Sequence, residues 1–528
     1  MYKILISDKL SQEGIDVFSK DADFQVDIKL GLKPDELKAI IADYDGLVVR
    51  SDTQVSSDII SSAAKLKVVG RAGVGLDNVD IPAATRAGII VMNTPDGNTI
   101  SAAEHTVAMI LSLARNIPQA NASMKAGKWE RAKFMGVELN GKTLGIIGLG
   151  RIGSEVAKRA RSFGMKLIAY DPFASPEKAN SLGADIVSLE ELLKVSDFIT
   201  PHAPKTKDTA HLIGAKELAL MKKGVRLVNV ARGGIYDETA LADAVGSGHV
   251  GGAALDVFEV EPPKDSPLLG FDNVITTPHL GASTEEAQVN VAIALAYQII
   301  DALKGGTISN AANIPAIDLA EWRELKPYYT LCEKLGSFAS QLAGGRRITH
   351  IRIGYSGEVA AKKTSALSLV LLRSSLERMT SERINYVNAP LIAKEHGIEV
   401  IESTTTVASD YTNLISLVLH TVEGDITLSA TLTGNEQSRI VEIGGFRVNL
   451  IPEGNLIVFY NRDTPGILAS VATILGDQAI NIAGLTNGRK TAGGDAVTVV
   501  ACDGDIPLAT IELIQQLPTL RNVHVVRL

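Results

Sequence analysis

The chain has few of the features that mark secreted, membrane-spanning or nucleic-acid-binding proteins. Only two cysteines occur among its 528 residues, Cys332 and Cys502, so neither a disulfide framework nor a C-x-x-C metal motif is expected. No apolar run reaches the roughly 20 residues of a membrane-spanning helix, and the start MYKILISDKL lacks a signal-peptide pattern. The net charge of −8 includes no basic excess that would favour nucleic acid. We therefore expect a cytoplasmic globular protein without a metal site, a membrane partner or a nucleic-acid partner.

Three apolar stretches each end in a polar side chain. The stretches are VRLVNVARGG (225–234), AALDVFEVEP (253–262) and VITTPHLGAST (274–284). Ligands bind outside the carboxyl ends of parallel strands, so we expect the three side chains to meet in one cleft. Arg232 suits a substrate carboxylate, whereas His279 suits proton transfer with Glu261 as its orienting countercharge. These three residues predict hydride transfer at a 2-hydroxy or 2-keto acid.

A glycine-rich turn upstream predicts the cofactor class. The stretch KTLGIIGLGRIGSEVAKRA (142–160) has a strand, a turn and a helix pattern. The turn carries Gly148, Gly150 and Gly153 in G-x-G-x-x-G spacing, which lets backbone approach a pyrophosphate at a helix start. The next strand, KLIAYD, ends in Asp171, where an acid meets the adenosine ribose and repels a 2′-phosphate. The pattern therefore predicts NAD rather than NADP.

Two other histidines compete with His279 for the acid–base role. His105 lies within a helix pattern, where a packing or interface role is expected. His202 follows the strand DFITP, and we expect it to line the adenosine side of the cleft without transferring a proton. Because the strand before that of His279 delivers Glu261 as a partner, His279 is the predicted acid–base residue.

Alternating strand and helix patterns indicate an α/β protein of several domains. Residues 2–95 form a first α/β unit, and SAAEHTVAMILSLARNIP (101–118) predicts an apolar helix that Pro118 stops. Its apolar character on more than one face predicts burial between domains or subunits. A helix over 284–305 could return the chain to the first unit, leaving a substrate cleft between two lobes. Residues 453–528 predict a βαββαβ unit of ferredoxin-like order.

Several longer runs together resemble the D-isomer-specific 2-hydroxyacid dehydrogenases in their long form. The runs are VGRAGVGLDNVD (69–80), NTPDGNTISAAEH (93–105), GLGRIG, NVARGG, LDVFEVEPP and TPHLGAST. The resemblance implies a Rossmann-type doubly wound NAD domain over 99–284 and a flavodoxin-like α/β substrate lobe over 1–98 and 285–307. It also implies an α+β intervening domain of the allosteric substrate-binding type over 308–452. A ferredoxin-like ACT regulatory domain would follow over 453–528.

The resemblance also implies roles for single residues. The catalytic residues are those chosen above, Arg232, Glu261 and His279. The implied cofactor contacts are Val74, Gly148, Gly150, Arg151, Ile152, Gly153, Asp171, Ala203, Val230, Ala231, Arg232, Asp256, His279, Gly281 and Ala282. Arg50 and Arg71 match positions that engage a substrate phosphate, with a surface ion pair as the alternative. Arg131 matches a basic residue offered by a neighbouring subunit.

The implied activity is NAD-dependent oxidation of 3-phospho-D-glycerate to 3-phosphohydroxypyruvate, the first committed step of L-serine biosynthesis, with serine as feedback effector. One alternative is a dehydrogenase for another D-2-hydroxy acid, such as glycerate, lactate or 2-hydroxyglutarate. Another is an NAD-sensing binding protein that resembles the C-terminal-binding-protein corepressors. Arg50 and Arg71 favour the phosphorylated substrate, and the complete Arg, Glu and His set favours an enzyme. A homodimer or homotetramer is expected.

The carboxy-terminal unit has a candidate site for a regulatory ligand. Its first strand-to-helix turn, NRDTPG, contains Asp463, and the resemblance implies that such a turn binds an amino acid together with Asn481. The alternative is that Asp463 or Thr464 only caps the helix that Pro465 opens. Two chains paired edge to edge would build such a pocket jointly.

Overall fold

The computed structural model describes residues 1–315, 319–380, 383–408, 410–434 and 436–528. In these ranges the chain forms four β-sheets, which have five, seven, six and four strands in chain order. None of the helices within the same ranges combines the length and apolarity needed to cross a membrane. Short 3₁₀ turns occur at Ile41–Asp43, Arg131–Phe134, Pro267–Gly270 and Glu358–Ala361.

The first sheet is parallel and supplies two of the predicted substrate-binding arginines. Its strands are β1 (Tyr2–Ile6), β2 (Phe24–Ile28), β3 (Gly46–Val49), β4 (Val68–Arg71) and β5 (Ile90–Met92), and its helices are α1 (Gln12–Ser19), α2 (Pro34–Ile40), α3 (Ser57–Ser62) and α4 (Ile81–Arg86). The strand order β2-β1-β3-β4-β5 is flavodoxin-like, as predicted. Arg50 follows β3 and Arg71 ends β4, so both lie at the carboxyl edge of this sheet.

The apolar helix after the first sheet ends earlier than the sequence predicts. It consists of α5 (Thr99–Arg115) and a separate helix, α6 (Ile117–Lys125). Between them Asn116 is left-handed, with φ 53° and ψ 38°. Pro118 lies in the first turn of α6, where the missing N–H costs no helical hydrogen bond. The prediction that Pro118 stops the helix is therefore wrong, because the chain already turns at Asn116.

The second sheet is a seven-stranded parallel sheet of Rossmann type. Its strands are β6 (Thr143–Ile147), β7 (Lys166–Tyr170), β8 (Ala184–Ile186), β9 (Phe198–Pro201), β10 (Val225–Asn229), β11 (Val250–Leu255) and β12 (Val274–Thr276). The helices are α7 (Arg151–Ser162), α8 (Pro176–Leu182), α9 (Leu189–Val195), α10 (Ala215–Leu220), α11 (Glu238–Gly246) and α12 (Glu285–Leu303). The order β8-β7-β6-β9-β10-β11-β12 reverses direction at β6, where the glycine turn leaves the sheet. Ligands bind at such a switch point.

Helix α12 carries the chain back to the first sheet. Its residues Val291, Leu295 and Ile299 share one hydrophobic core with Ile4 and Val68 of the first sheet. The chain therefore crosses twice between the two sheets, and the space between their carboxyl edges becomes the cleft that holds the site.

The third sheet is mixed and forms an α+β unit. Its helices are α13 (Leu319–Ala343), α14 (Thr364–Leu376) and α15 (Ala389–Glu395), and its strands are β13 (Ile348–Gly357), β14 (Glu399–Thr405), β15 (Asn413–Thr421), β16 (Gly424–Thr433), β17 (Gln437–Ile443) and β18 (Phe446–Leu450). The order is β14-β13-β15-β16-β17-β18, with β13 and β14 parallel and the other pairs antiparallel. The mixed sheet and its helices agree with the predicted fold class.

The fourth sheet has the predicted ferredoxin-like order. Its elements are β19 (Asn455–Arg462), α16 (Ile467–Asp477), β20 (Ile482–Arg489), β21 (Asp495–Cys502), α17 (Leu508–Gln515) and β22 (Leu520–Arg527). The strands pair antiparallel in the order β20-β21-β19-β22, which leaves β20 at an edge of the sheet. Val458, Val499 and Val526 pack in one core with Leu335 of α13. The third and fourth sheets therefore share one hydrophobic core.

Candidate active site

Three neighbouring strands of the second sheet end at the cleft. β10, β11 and β12 are adjacent and parallel. Arg232 and His279 come three residues after β10 and β12, whereas Glu261 comes six residues after β11, in a loop rather than at the strand end that the sequence predicts. All three side chains line one cavity of about 590 Å³, together with residues of the first lobe. The structure thus brings together the three residues that the sequence predicts as a catalytic set.

The imidazole of His279 is held by the carboxylate of Glu261. His279 Nδ1 lies 2.8 Å from Glu261 Oε2, and the two side chains are 47% and 39% exposed. This contact occupies Nδ1 and leaves Nε2 for a ligand. His279 has φ 56°, a left-handed conformation that is uncommon for a residue with a Cβ. The strand end thus forms a sharp turn that carries the imidazole beside the carboxylate.

The Glu261 carboxyl is ionised over a wide pH range. Burial raises its pKa, but the hydrogen bond and charge of His279 and the hydrogen bond from Phe258 N lower it, and the net pKa is below the usual value. An anion at this position attracts a positive charge on the group beside it. The pair can therefore accept a proton and stabilise the charge that results.

A buried carboxylate, Asp256, shapes the loop that carries the catalytic histidine. It accepts hydrogen bonds from Thr277 Oγ1, Leu280 N and Gly281 N at 2.6, 2.7 and 2.8 Å. His105 Nε2 lies 3.3 Å from the same carboxylate, whose side chain is fully buried. Burial raises the pKa of Asp256, but the hydrogen bonds with His105, Thr277 and Leu280 outweigh that effect. The net pKa is below the usual value, so the group remains an anion. Asp256 therefore organises the loop, and His105 of α5 contacts the same carboxylate, which the sequence does not predict.

Three arginines from the two lobes line the same cavity. They are Arg50, Arg71 and Arg232. The pKa of Arg71 is lowered to about 10, first by burial and then by the neighbouring charges of Arg232 and Arg50. Arg71 Nε is buried without a hydrogen-bond partner among the described residues. Three cations in one cavity with an imidazole–carboxylate pair fit a small ligand with more than one anionic group.

The glycine turn fits a pyrophosphate. Gly148 has φ 96°, and a Cβ at Gly153 would collide with the carbonyl oxygen of Gly148. At Gly150, in contrast, a Cβ would meet no described protein atom within 4 Å. Gly150 is also the N-cap of α7, whose free amides and dipole favour an anion. Two of the glycines are therefore needed by the fold, whereas the third keeps a cradle open.

Asp171 lies beside this turn, directly after β7. Its Oδ2 accepts a hydrogen bond from Leu149 N at 2.8 Å, and its Oδ1 accepts bonds from Phe173 N and Ala174 N at 2.8 and 3.1 Å. A carboxylate has about four acceptor positions, so one remains for a ribose hydroxyl. The position agrees with the role that the sequence assigns to Asp171.

A second cavity of about 440 Å³ shares part of its lining with the first. Ten of the predicted cofactor residues line it, namely Val74, Arg151, Ile152, Ala203, Val230, Ala231, Arg232, His279, Gly281 and Ala282. His202 also lines it, and burial lowers the pKa of His202 to about 4. A ring that stays neutral at physiological pH fits the expectation that His202 lines the cofactor cleft without transferring a proton.

The predicted regulatory residues lie at opposite ends of β20. Asp463 Oδ2 pairs at 2.5 Å with Nη1 of Arg489, the last residue of β20, whereas Asn481 precedes the first residue. An eight-residue strand spans about 26 Å, so one chain does not bring the two side chains together. The alternative that Asp463 or Thr464 caps the next helix is wrong, because α16 has Gly466 at its N-cap and no side-chain cap.

Arg131 lies away from both cavities. It begins the 3₁₀ turn Arg131–Phe134 after α6, and it is exposed. It lines neither the 590 Å³ cavity nor the 440 Å³ cavity of this chain. A role for Arg131 therefore requires a second chain, as the sequence analysis expects.

Two acids that the sequence analysis leaves out reach the cleft from the first lobe. Asp77 Oδ2 lies 3.3 Å from Arg232 Nε, and Asp96 Oδ1 lies 2.5 Å from Arg151 Nε. Both acids lie in runs that carry the family resemblance, VGRAGVGLDNVD and NTPDGNTISAAEH. Their partners are distant in sequence, so nothing in either run identifies the contact.

Comparison with known proteins agrees with this arrangement. Residues 107–281 match the NAD-binding domain of the D-isomer specific 2-hydroxyacid dehydrogenases. Residues 324–444 match the D-3-phosphoglycerate dehydrogenase intervening domain, and residues 455–519 match the ACT domain. The predicted fold class, family and NAD cofactor are thereby confirmed.

Relatives extend over the full chain. The D-3-phosphoglycerate dehydrogenase of Synechocystis sp. is 45% identical over 529 residues, covering 100% of this chain and 95% of that protein. The protein of the same name from Methanocaldococcus jannaschii is 46% identical over 529 residues, covering 100% of both. A solved D-lactate dehydrogenase from Aquifex aeolicus, complexed with NAD and lactic acid, is 30% identical with a TM-score of 0.53, covering 60% of this chain and 100% of its own. The chain therefore belongs to the D-3-phosphoglycerate dehydrogenase family of D-isomer-specific 2-hydroxyacid dehydrogenases.

Proposed function

We propose that this chain oxidises 3-phospho-D-glycerate to 3-phosphohydroxypyruvate with NAD, the first committed step of L-serine biosynthesis. One observation carries the proposal: the His279–Glu261 pair and three arginines line a single cavity. The pair suits removal of a proton from a 2-hydroxyl, and the arginines suit a molecule with a carboxylate and a phosphate. The names of the full-length relatives support the same substrate.

The chain's part in the chemistry is proton transfer. His279 accepts the C2 hydroxyl proton at Nε2, because Nδ1 is engaged by Glu261. The imidazole gains positive charge as the proton arrives, and the adjacent carboxylate stabilises that charge. The glycine turn and Asp171 would hold NAD, which would supply the hydride acceptor for C2. The reverse reaction uses the same pair, with the imidazolium as the proton donor.

The arginines divide the two anionic groups of the substrate between the lobes. Arg232 holds the carboxylate next to the reacting carbon, since it comes from the same sheet edge as His279. Arg50 and Arg71 come from the first sheet and hold the phosphate. Arg131 of a neighbouring chain adds a further positive charge. Arginine suits both groups because its guanidinium can donate two parallel hydrogen bonds.

The proposal is tested with a panel of substrates. NADH formation is followed at alkaline pH with 3-phospho-D-glycerate, D-glycerate, D-lactate and D-2-hydroxyglutarate at equal concentrations. We expect 3-phosphoglycerate to have the largest kcat/KM. A larger kcat/KM for an unphosphorylated acid would identify that acid as the substrate instead. NAD binding without turnover of any acid would favour a sensing role.

We also propose that two chains build a pocket for L-serine at their ACT domains. β20 is an edge strand, and antiparallel pairing with the β20 of a second chain brings Asn481 of that chain to the end that carries Asp463. The carboxylate suits the ammonium of an amino acid, and the amide suits its carboxylate. This arrangement requires a homodimer or homotetramer, and we propose the cytoplasm as its location.

A further inference from the structure

Two ion pairs join the lobes across the cleft. Asp77, in the loop between β4 and α4, pairs with Arg232 at 3.3 Å. Asp96, in the loop between β5 and α5, pairs with Arg151 at 2.5 Å. In both pairs the acid belongs to the substrate side and the arginine belongs to the cofactor side.

Both acids contact the same atom of the guanidinium. The arginine atom nearest the carboxylate is Nε in each pair, so the ion pair lies at the inner edge of the guanidinium. Arg232 uses one N–H of Nη1 on its neighbour's carbonyl, Ala231 O, at 2.7 Å. Since a guanidinium has five N–H donors in a fixed fork, fixing Nε also fixes the direction of the remaining donors.

The loop that carries Asp77 is packed closely onto Arg232. A Cβ at Gly75 would collide with Arg232 Nη2 and would also be 2.7 Å from Asp77 Oδ2. The loop backbone therefore lies directly against the guanidinium. Both side chains line the 590 Å³ cavity, where Arg232 is 26% exposed and Asp77 is 70% exposed, so we expect a modest effect from this contact.

We propose that Asp77 and Asp96 are positioning residues, which orient Arg232 towards the substrate carboxylate and Arg151 towards the cofactor pyrophosphate. The inference rests on the proposed function, because that function assigns the two arginines to these anions. Each acid acts through the arginine and across the cleft, so each ligand binds best when the lobes have approached one another.

Simple electrostatics predicts the opposite effect of removing these acids. The substrate and the pyrophosphate are anions, so loss of a nearby carboxylate would by itself strengthen their binding. Loss of an orienting contact would weaken it. The sign of the change therefore separates a positioning role from a general effect of charge.

The first test uses KM for 3-phosphoglycerate at saturating NAD. Asp77→Ala is expected to raise KM about threefold to tenfold, with a smaller change in kcat, as for loss of one partly exposed charged contact. Asp77→Asn is expected to raise it less, because its amide oxygen can still accept a bond from Nε. The matched control is Asp52→Asn, since Asp52 lines the same cavity and accepts a bond from Ser51 Oγ at 3.4 Å. This control removes an equal charge, and its KM should fall or stay constant.

The second test uses NAD binding in the absence of substrate, measured by calorimetry. Asp96→Ala is expected to weaken NAD about threefold, and Asp77→Ala is expected to leave the NAD affinity closer to that of the parent. NAD binding is independent of which acid the enzyme oxidises, so this arm stands even if the substrate is different.

Two results would contradict the positioning roles. A KM for Asp77→Ala at or below the parent value overturns the role of Asp77, and tighter NAD binding by Asp96→Ala overturns that of Asp96. If Asp77→Ala does not fold, the isosteric Asp77→Asn decides by the same criterion. If the parent does not oxidise 3-phosphoglycerate, the proposed function fails, and KM is measured with the acid that it does oxidise.

Discussion

Proton transfer at this site depends on how a single imidazole is held. The left-handed backbone of His279 is stabilised by a hydrogen bond from its N–H to Asp256 O at 2.9 Å. The amides of Leu280 and Gly281 bind the carboxylate of the same aspartate. The loop is therefore held by contacts that do not involve the imidazole, and the side chain can be removed without losing the loop.

His279→Ala is expected to lower kcat by a factor on the order of 10² to 10⁴, as for loss of a general base. NAD binding should remain within a few-fold of the parent, because Asp256 still holds the loop. Steady-state rates and calorimetry measure the two effects. A variant that keeps more than a tenth of the parent kcat would show that another group transfers the proton.

Glu261→Gln tests the role of the countercharge. The lowered pKa of Glu261 means that the carboxylate is negatively charged at neutral pH, and this charge favours a positive charge on the group beside it. Replacement by neutral glutamine removes this preference, and the base should stay unprotonated down to lower pH. We expect the acidic limb of the kcat/KM profile to move to lower pH, with reduced kcat. Profiles that superimpose would exclude the pairing.

At the residue scale, the sequence predicts which side chains meet at one edge of the sheet. It does not predict which side chains pair across the cleft. Arg232, Glu261 and His279 each follow an apolar run, and parallel strands bring such ends to one edge. Asp77 and Asp96 lie in loops, and their contacts depend on how far two lobes close. That distance is set by tertiary packing, which has no local sequence pattern.

At the element scale, the three glycines of the turn before α7 have different roles, two in the fold and one in cofactor binding. Gly148 and Gly153 are required by backbone geometry and by the contact between strand and helix. Gly150 has a φ of −66° and open space around its Cβ direction among the described atoms. The spacing of the three glycines predicts the turn, but only the backbone geometry around each glycine distinguishes their roles.

Matched alanine substitutions test this division. Gly153→Ala should destabilise the protein by about 1–3 kcal/mol, because the new Cβ overlaps a backbone oxygen. Gly150→Ala should leave the melting temperature almost unchanged and weaken NAD about tenfold or more, since its methyl group fills the pyrophosphate cradle. Thermal unfolding and NAD titration measure both variants. Equal NAD affinity in Gly150→Ala and parent would contradict the placement of the pyrophosphate.

The helix over 101–118 shows why element boundaries are harder to predict than elements. The apolar pattern correctly indicates a helix, and Pro118 is a reasonable stop signal. The chain instead turns at Asn116, whose left-handed conformation lets a second helix start with Pro118 in its first turn. A proline can end one helix or begin the next, and the sequence pattern alone does not distinguish them.

At the scale of the whole molecule, the intervening and ACT domains are joined to the first lobe by polar contacts. Arg86 of α4 pairs with Glu395 of α15 at 2.6 Å, and Asn385 Nδ2 donates to Gly88 O at 2.6 Å. The ACT sheet in turn shares its core with α13. Deletion of 453–528 would expose that core, so point substitutions are the better test of regulation. The domain boundaries themselves stay a prediction.

Asn481→Ala tests the proposed serine pocket. L-serine is expected to inhibit the parent, and the substitution should raise the half-inhibitory concentration about tenfold, as for loss of a hydrogen bond to a charged ligand. Gln515→Ala is the matched control, because Gln515 is an exposed amide on α17, a helix that packs against β22 at the other edge of the sheet. Equal serine sensitivity in the two variants would contradict the pocket, and no inhibition of the parent would exclude serine as the effector.

The central claim is that one cavity performs oxidation with His279 and recognises phosphate with Arg50 and Arg71. The most direct measurement is kcat/KM for 3-phosphoglycerate and for D-glycerate, in the parent and in the double variant Arg50→Gln, Arg71→Gln. We predict that the parent prefers the phosphorylated acid by about 10²-fold or more, since each charged hydrogen bond contributes about 1.5–3 kcal/mol. The double variant should lose most of that preference while its kcat/KM for D-glycerate stays within a few-fold of the parent. A parent without the preference, or a folded double variant that retains it, would contradict the account.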